Sequence, residues 1–307
     1  VSILVNAEGK LRAGLRLALF YVAVLAGALG LMLTTAATFR LADVRPKHPD
    51  FAVSEMDPRL LAAAGLVVLI PLAAVTLGAR RFLDGKPALA SLGLAPKAAA
   101  AGLPLGFAGG AAFVGITCLA IALAGGAAFS WAAVSPSAVA ALVGALAFFG
   151  VFAAAEELLL RGYPIVVLDE SWTRAAAVLI TAGAFGLLHL VNPGAGLLPA
   201  VNVTLAGVIL GLLYLQSGSL WLAIGFHWGW NFAEGGLFGF AVSGYRFPGG
   251  LAEASARGPS WLSGAAFGPE GSVVLTAACI VLIAVALTRS LRYPNTPAGA
   301  TAGGDLR

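Results

Sequence analysis

Residues 138–161 read AVAALVGALAFFGVFAAAEELLLR: a run of apolar and small residues that reaches Glu156 and Glu157 and resumes as three leucines before Arg161. A helix needs roughly 20 such residues to cross the hydrocarbon of a bilayer, so Ala138–Leu160 reads as a membrane span. Seven further runs have the same character: Leu15–Phe39, Leu60–Ala79, Leu103–Ala124, Ala175–Leu190, Leu197–Leu215, Leu220–Ala241 and Ser272–Leu287. The chain of 307 residues is 60% hydrophobic and only 10% charged, where a globular chain carries about a quarter charged residues. Its mean hydropathy is +0.94. The expected fold is all-α: a polytopic transmembrane bundle of about eight spanning helices, one membrane domain over 1–307, with the active site inside the bundle.

Composition narrows the function classes. The net charge of +4 comes with no dense Lys/Arg tract, so nucleic acid is not an expected partner; membrane lipid is. Cys118 and Cys279 both sit in apolar runs, which implies neither a disulfide framework nor a cysteine zinc site. Placing the N-terminus in the cytoplasm puts 12 Lys/Arg inside, among them Arg16, Arg80, Lys86 and Arg174, against 6 outside, among them Arg246. The positive-inside rule therefore favours cytoplasmic N- and C-termini. Arg80–Ala101 mixes charge with apolar residues and reads as an amphipathic interfacial piece. The loop around His48 falls outside the membrane. Ser243–Gly271 is a Gly/Pro/Ser-rich loop, and 290–307 is expected to be a disordered tail.

An ionised group inside a bilayer costs at least about 2.5 kcal/mol on insertion scales, so each needs a partner or a task. The apolar runs carry a short set of such residues, all between the fourth and seventh spans: Glu156, Glu157, Arg161, His189, Asn202, His227, Asn231 and Glu234. This asymmetry places the expected catalytic core in 138–241. Glu157 and Arg161 stand at i and i+4 with the acid N-terminal, the favourable order for an ion pair. Glu156 points about 100° away and stays free to act as a general base. Phe185 lies one turn before His189 and can fix its ring. His227 and Asn231, again i and i+4, offer two uncharged donors on one face, which suits an oxyanion. Glu234 can orient Asn231 or reach solvent, and Asn202 has no assigned role. Gly207, Gly211, Gly225 and Gly229 read as close-packing positions.

The groups can meet only if their depths agree. At 1.5 Å per residue, Glu156 is about 20 Å from Asp169, His189 about 22 Å from Arg174 and His227 about 12 Å from Ser219. All then lie near the midplane, provided that the fourth helix continues past Arg161 despite Pro164, which tends to kink it.

Glu-Glu-x-x-x-Arg at 156–161, Phe-x-x-x-His at 185–189 and His-x-x-x-Asn at 227–231, in that order on late helices, resemble the CAAX protease and bacteriocin-processing (CPBP, or Abi) family of intramembrane endopeptidases. Arg161-Gly162-Tyr163 and the run from Gly211 to Trp221 add to the resemblance, which covers about Ala138 to Ala241. It implies that Glu156 and His189 activate a water, that His227 and Asn231 hold the oxyanion, and that Glu157, Arg161 and Phe185 support them. The implied substrate is a peptide or membrane protein, and the expected opening of the site is cytoplasmic. With no targeting sequence apparent at the N-terminus, the inner membrane of a prokaryote is the expected location. No cofactor is expected. The alternative is zinc, with Glu156, His189 and His227 as ligands. The competing functions are a non-proteolytic bacteriocin-immunity or scaffold protein using the same pocket, and a proton-coupled transporter, for which no inverted repeat is present.

Overall fold

The computed structural model describes residues 4–5, 11–41, 58–131, 133, 135–247 and 250–292; the loop around His48 and the tail beyond Arg292 lie outside these. In chain order the helices are α1 (Ala13–Leu41), α2 (Pro58–Gly78), the short α3 (Ala88–Ser91) and α4 (Pro96–Leu123). After strand β1 (Ala127–Trp131) come α5 (Pro136–Glu157), α6 (Tyr163–Ser171), α7 (Arg174–Leu188), α8 (Leu197–Ser217) and α9 (Leu220–Asn231). Strands β2 (Ala241–Val242), β3 (Tyr245–Arg246) and β4 (Ala252–Ala256) precede α10 (Ser260–Ser263) and α11 (Val273–Arg292). β1 pairs antiparallel with β4, and β2 with β3, so the loop expected at 243–271 is built of short paired strands and turns. Residues 290–292, assigned to the tail, complete α11.

The all-α polytopic reading holds. Among the described residues six helices are long and apolar enough to cross a membrane. Of the other two expected spans, the last falls on the shorter apolar helix Val273–Thr288 within α11, and the seventh on α9 with the π turn Phe232–Leu237 that extends it. In the latter, His227, Asn231 and Glu234 dilute the apolar run. Outward-facing leucines such as Leu25 (68% exposed), Leu123 (90%) and Leu197 (84%) form the surface that lipid covers.

The fourth span does continue past Arg161. α5 passes through a π turn, Leu158–Gly162, directly into α6, giving one helical path over Pro136–Ser171. The π turn resolves the expected conflict with Pro164: it widens the helix just before the proline, which then sits in the first turn of α6, where a missing N–H costs little. At the other end, Ser135 caps α5 by accepting from the Ala138 N–H at 3.1 Å, and Pro136 opens the helix.

α9, which bears two of the motif residues, packs against α4 through glycines on both helices. A Cβ on Gly225 would run into the Leu103 carbonyl, one on Gly229 into that of Phe107, and one on Gly110 into that of Phe226. On α8, Gly207 lies against Ala182 and Gly211 against Val178. The packing role expected for these glycines is therefore observed, with Gly110 as an unforeseen counterpart on α4.

One end of the bundle is tied by ions. Asp84 meets Arg16 at 2.8 Å and Arg80 at 2.8 Å; Glu170 meets Arg80 at 2.7 Å and Lys86 at 2.8 Å. Tyr163 also donates to Asp84. Arg80 is only 2% exposed, so the start of the stretch read as an interfacial amphipathic piece is instead a buried junction between α1, α2 and α6. The charge pattern could not show this, because Arg80 finds one of its acids 90 residues away.

Candidate active site

Three helices deliver the motif residues to one cavity of about 480 Å³. Glu156 comes from the last turn of α5, His189 from the C-terminal cap of α7, and His227 and Asn231 from α9. All four line the cavity, and Phe148, Phe149 and Phe152 supply an apolar wall.

The supporting residues form a buried relay. Glu157 and Arg161, both 0% exposed, pair at 2.9 Å as the spacing foretold. The same glutamate oxygen lies 3.0 Å from His227 Nδ1, a bond no sequence spacing indicated. Glu157 thus orients an imidazole on another helix as well as neutralising Arg161. Arg161 also donates to the Gly207 carbonyl on α8 and lies 4.4 Å over the Phe185 ring, within range of a cation–π contact. Phe185 meets His189 edge-on at 4.6 Å and His227 at 5.7 Å. The Phe185 carbonyl also engages His189 Nδ1 at 2.8 Å. Both imidazoles therefore have Nδ1 occupied, and Nε2 is the ring nitrogen left for chemistry.

Glu156 has a different environment. Its side chain is 36% exposed, and its Oε2 stands 3.6 Å from His227 Nε2. Both residues of the Glu-Glu pair consequently address His227, one at each ring nitrogen.

Two residues without a settled role acquire one. Asn202, fully buried, donates to the carbonyls of Glu270 (2.8 Å) and Ser272 (2.9 Å) and accepts from Thr276, pinning the entry of α11 to α8. Glu234 neither orients Asn231 nor reaches solvent: it is 0% exposed and accepts from Trp230 Nε1 at 2.8 Å. The π turn that begins at Phe232 rotates it away from the α9 face. Sequence reasoning missed Glu270, which also lines the cavity, because it lies in a turn outside every apolar run.

The outer part of the cavity is built by Asn192, Ser243, Tyr245, Arg246 and Phe247. Glu156 is about 21 Å along the helix from Glu170, and the cavity extends from Glu156 away from the ion junction. The charge count places Arg16, Arg80 and Lys86 in the cytoplasm and Arg246 outside. The loops at 192 and 242–247 contribute to the lining of the cavity together with the helices.

A helical membrane bundle holding a carboxylate, two imidazoles and an amide in an internal cavity has the groups needed for hydrolysis within the bilayer. Residues 136–233 match the family model described as Type II CAAX prenyl endopeptidase Rce1-like. The matched segment contains all three motifs, and its similarity to this endopeptidase model agrees with the resemblance that the motifs carry. No curated protein and no solved structure matches the chain.

Proposed function

We propose that this integral membrane protein is an intramembrane endopeptidase that hydrolyses a peptide bond of a membrane-associated substrate through a glutamate-activated water. The observation that carries this reading is the convergence of Glu156, His189, His227 and Asn231, from three helices, on one cavity. Glu156, partly exposed, takes a proton from the attacking water, with His189 as its partner in positioning that water. His227 and Asn231 face the developing oxyanion. With Nδ1 directed at Glu157, His227 works through Nε2.

Zinc is the alternative to test against the donor set. Among the described residues no three His, Cys, Asp or Glu side chains are grouped so as to hold an ion together. That spacing supports the metal-free reading, and no step is routed through a metal.

The deciding experiment is cleavage of membrane peptides by purified full-length protein, beside Glu156→Ala and His189→Ala variants and with the metal content measured. Loss of cleavage in both variants, with no stoichiometric zinc, is the expected result. Cleavage retained in either variant overturns the mechanism; variants that still protect cells from a bacteriocin would favour an immunity role.

A further inference from the structure

Glu270 lies beyond the matched segment and belongs to none of the motifs, yet three parts of the fold are shaped around it. It is 6% exposed and lines the same cavity as Glu156, His189 and His227. Its Oε2 accepts from both the backbone N–H (2.6 Å) and the hydroxyl (2.7 Å) of Ser243. Ser243 holds φ +48 to do so, a left-handed conformation that is uncommon outside glycine and often found at functional sites. Asn202 grips the main-chain carbonyl of Glu270 from α8. Two residues before it, Gly268 turns at φ +100, where a Cβ would run into the Ala241 carbonyl. Among the described residues no hydrogen bond engages Oε1, and that oxygen is not sealed from the cavity.

We propose that Glu270 is a further catalytic residue, the proton donor to the amine that leaves when the peptide bond breaks. This rests on the endopeptidase reading. In the first step the water oxygen bonds to the scissile carbon, its proton passes to Glu156, and the carbonyl π pair moves onto oxygen. In the second, that pair re-forms the carbonyl and the C–N bond breaks. Its electrons go to nitrogen, which takes the proton of Glu270. The proton on Glu156 then returns to Glu270 through water, restoring both groups. Environment divides the roles of the two carboxyls, as it does in other carboxylate pairs. Glu156 is partly exposed and acts as the base. Glu270 is enclosed, and burial pushes its carboxyl above the usual range, against the opposing pull of Ser243, His189 and His227. The other titratable groups in its field are Glu234 and the thiols Cys118 and Cys279.

The test compares Glu270→Gln with the unaltered full-length protein on two substrates of one sequence, a peptide amide and an ester with a nitrophenolate leaving group. The phenolate departs without a proton. We expect Glu270→Gln to lower kcat on the amide by about 10²–10⁴-fold, the usual range for a general acid, with KM unchanged and ester cleavage within a few-fold of normal. Equal loss on both substrates, or an unaffected amide, overturns the proposal. Should Glu270→Gln not fold, Ser243→Ala decides. It removes one of the two hydrogen bonds to Oε2 and should shift the alkaline limb of the amide pH profile but not that of the ester; an unshifted amide limb overturns the idea. Glu156→Gln keeps the two readings apart: it should abolish cleavage of both substrates, and amide cleavage retained there defeats the endopeptidase mechanism itself.

Discussion

One oxygen of Glu157 joins two motifs: Oε1 stands 2.9 Å from Arg161 on its own helix and 3.0 Å from His227 Nδ1 on α9. The glutamate is fully buried, so it reaches His227 and Arg161 without competition from water. A helix-stabilising pair and the orientation of a site imidazole are thereby one structural feature, and loss of the carboxylate should damage both.

Glu157→Ala leaves Arg161, 0% exposed, as an uncompensated charge. Removing one partner of a buried pair costs about 3–5 kcal/mol, and His227 loses its anchor. Thermal unfolding in detergent should fall sharply, together with activity. Glu157→Gln should retain more stability while still impairing cleavage, because an amide can accept from Arg161 but carries no charge for His227.

Glu156→Gln should behave in the opposite way. Its side chain is 36% exposed and, among the described residues, has only the 3.6 Å approach to His227. We expect a melting temperature close to that of the unaltered protein and a loss of about 10²-fold or more in kcat. A large stability loss here would place Glu156 in the framework instead.

Gly229→Ala tests the α4–α9 seam. The added methyl would meet the Phe107 carbonyl, so the helices must separate, and overpacking of this kind costs about 1–3 kcal/mol. Because α9 also carries His227 and Asn231, cleavage should drop by more than the fall in folded fraction explains. Gly183→Ala, where a Cβ meets nothing within 4 Å, serves as the control and should be neutral in both measurements.

Asp84→Ala should separate stability from chemistry. Asp84 is 3% exposed and serves both Arg16 and Arg80. Its removal should destabilise by about 3–5 kcal/mol, while protein that remains folded keeps its specific activity, since the ion junction lies at the end of the bundle away from the cavity. Unfolding curves and cleavage normalised to folded protein provide the check.

Asn202→Leu should loosen the turn that carries Glu270. It removes two hydrogen bonds to buried carbonyls, and leaving buried polar groups unpaired costs about 1–3 kcal/mol each. Hydrogen exchange should rise around 268–273, with cleavage of the amide reduced more than binding.

The class of fold and the core of the site were legible in the chain alone. Eight apolar runs announce a membrane bundle, and a charge in hydrocarbon is costly enough that Glu156, Glu157, Arg161, His189 and His227 stand out without any structure. Helix geometry also made the Glu157–Arg161 pair and the Phe185–His189 contact readable, since both partners lie one turn apart. What the chain did not reveal are contacts between distant segments. The bond from Glu157 to His227 spans 70 residues, and the one from Asn202 to the Glu270 carbonyl spans 68; neither leaves a periodic trace. Sequence determined which groups are too polar for their surroundings, a matter of local transfer cost. Tertiary packing alone decided which of them face one another, because hydrogen-bond geometry is set by the meeting of helices and turns far apart in the chain.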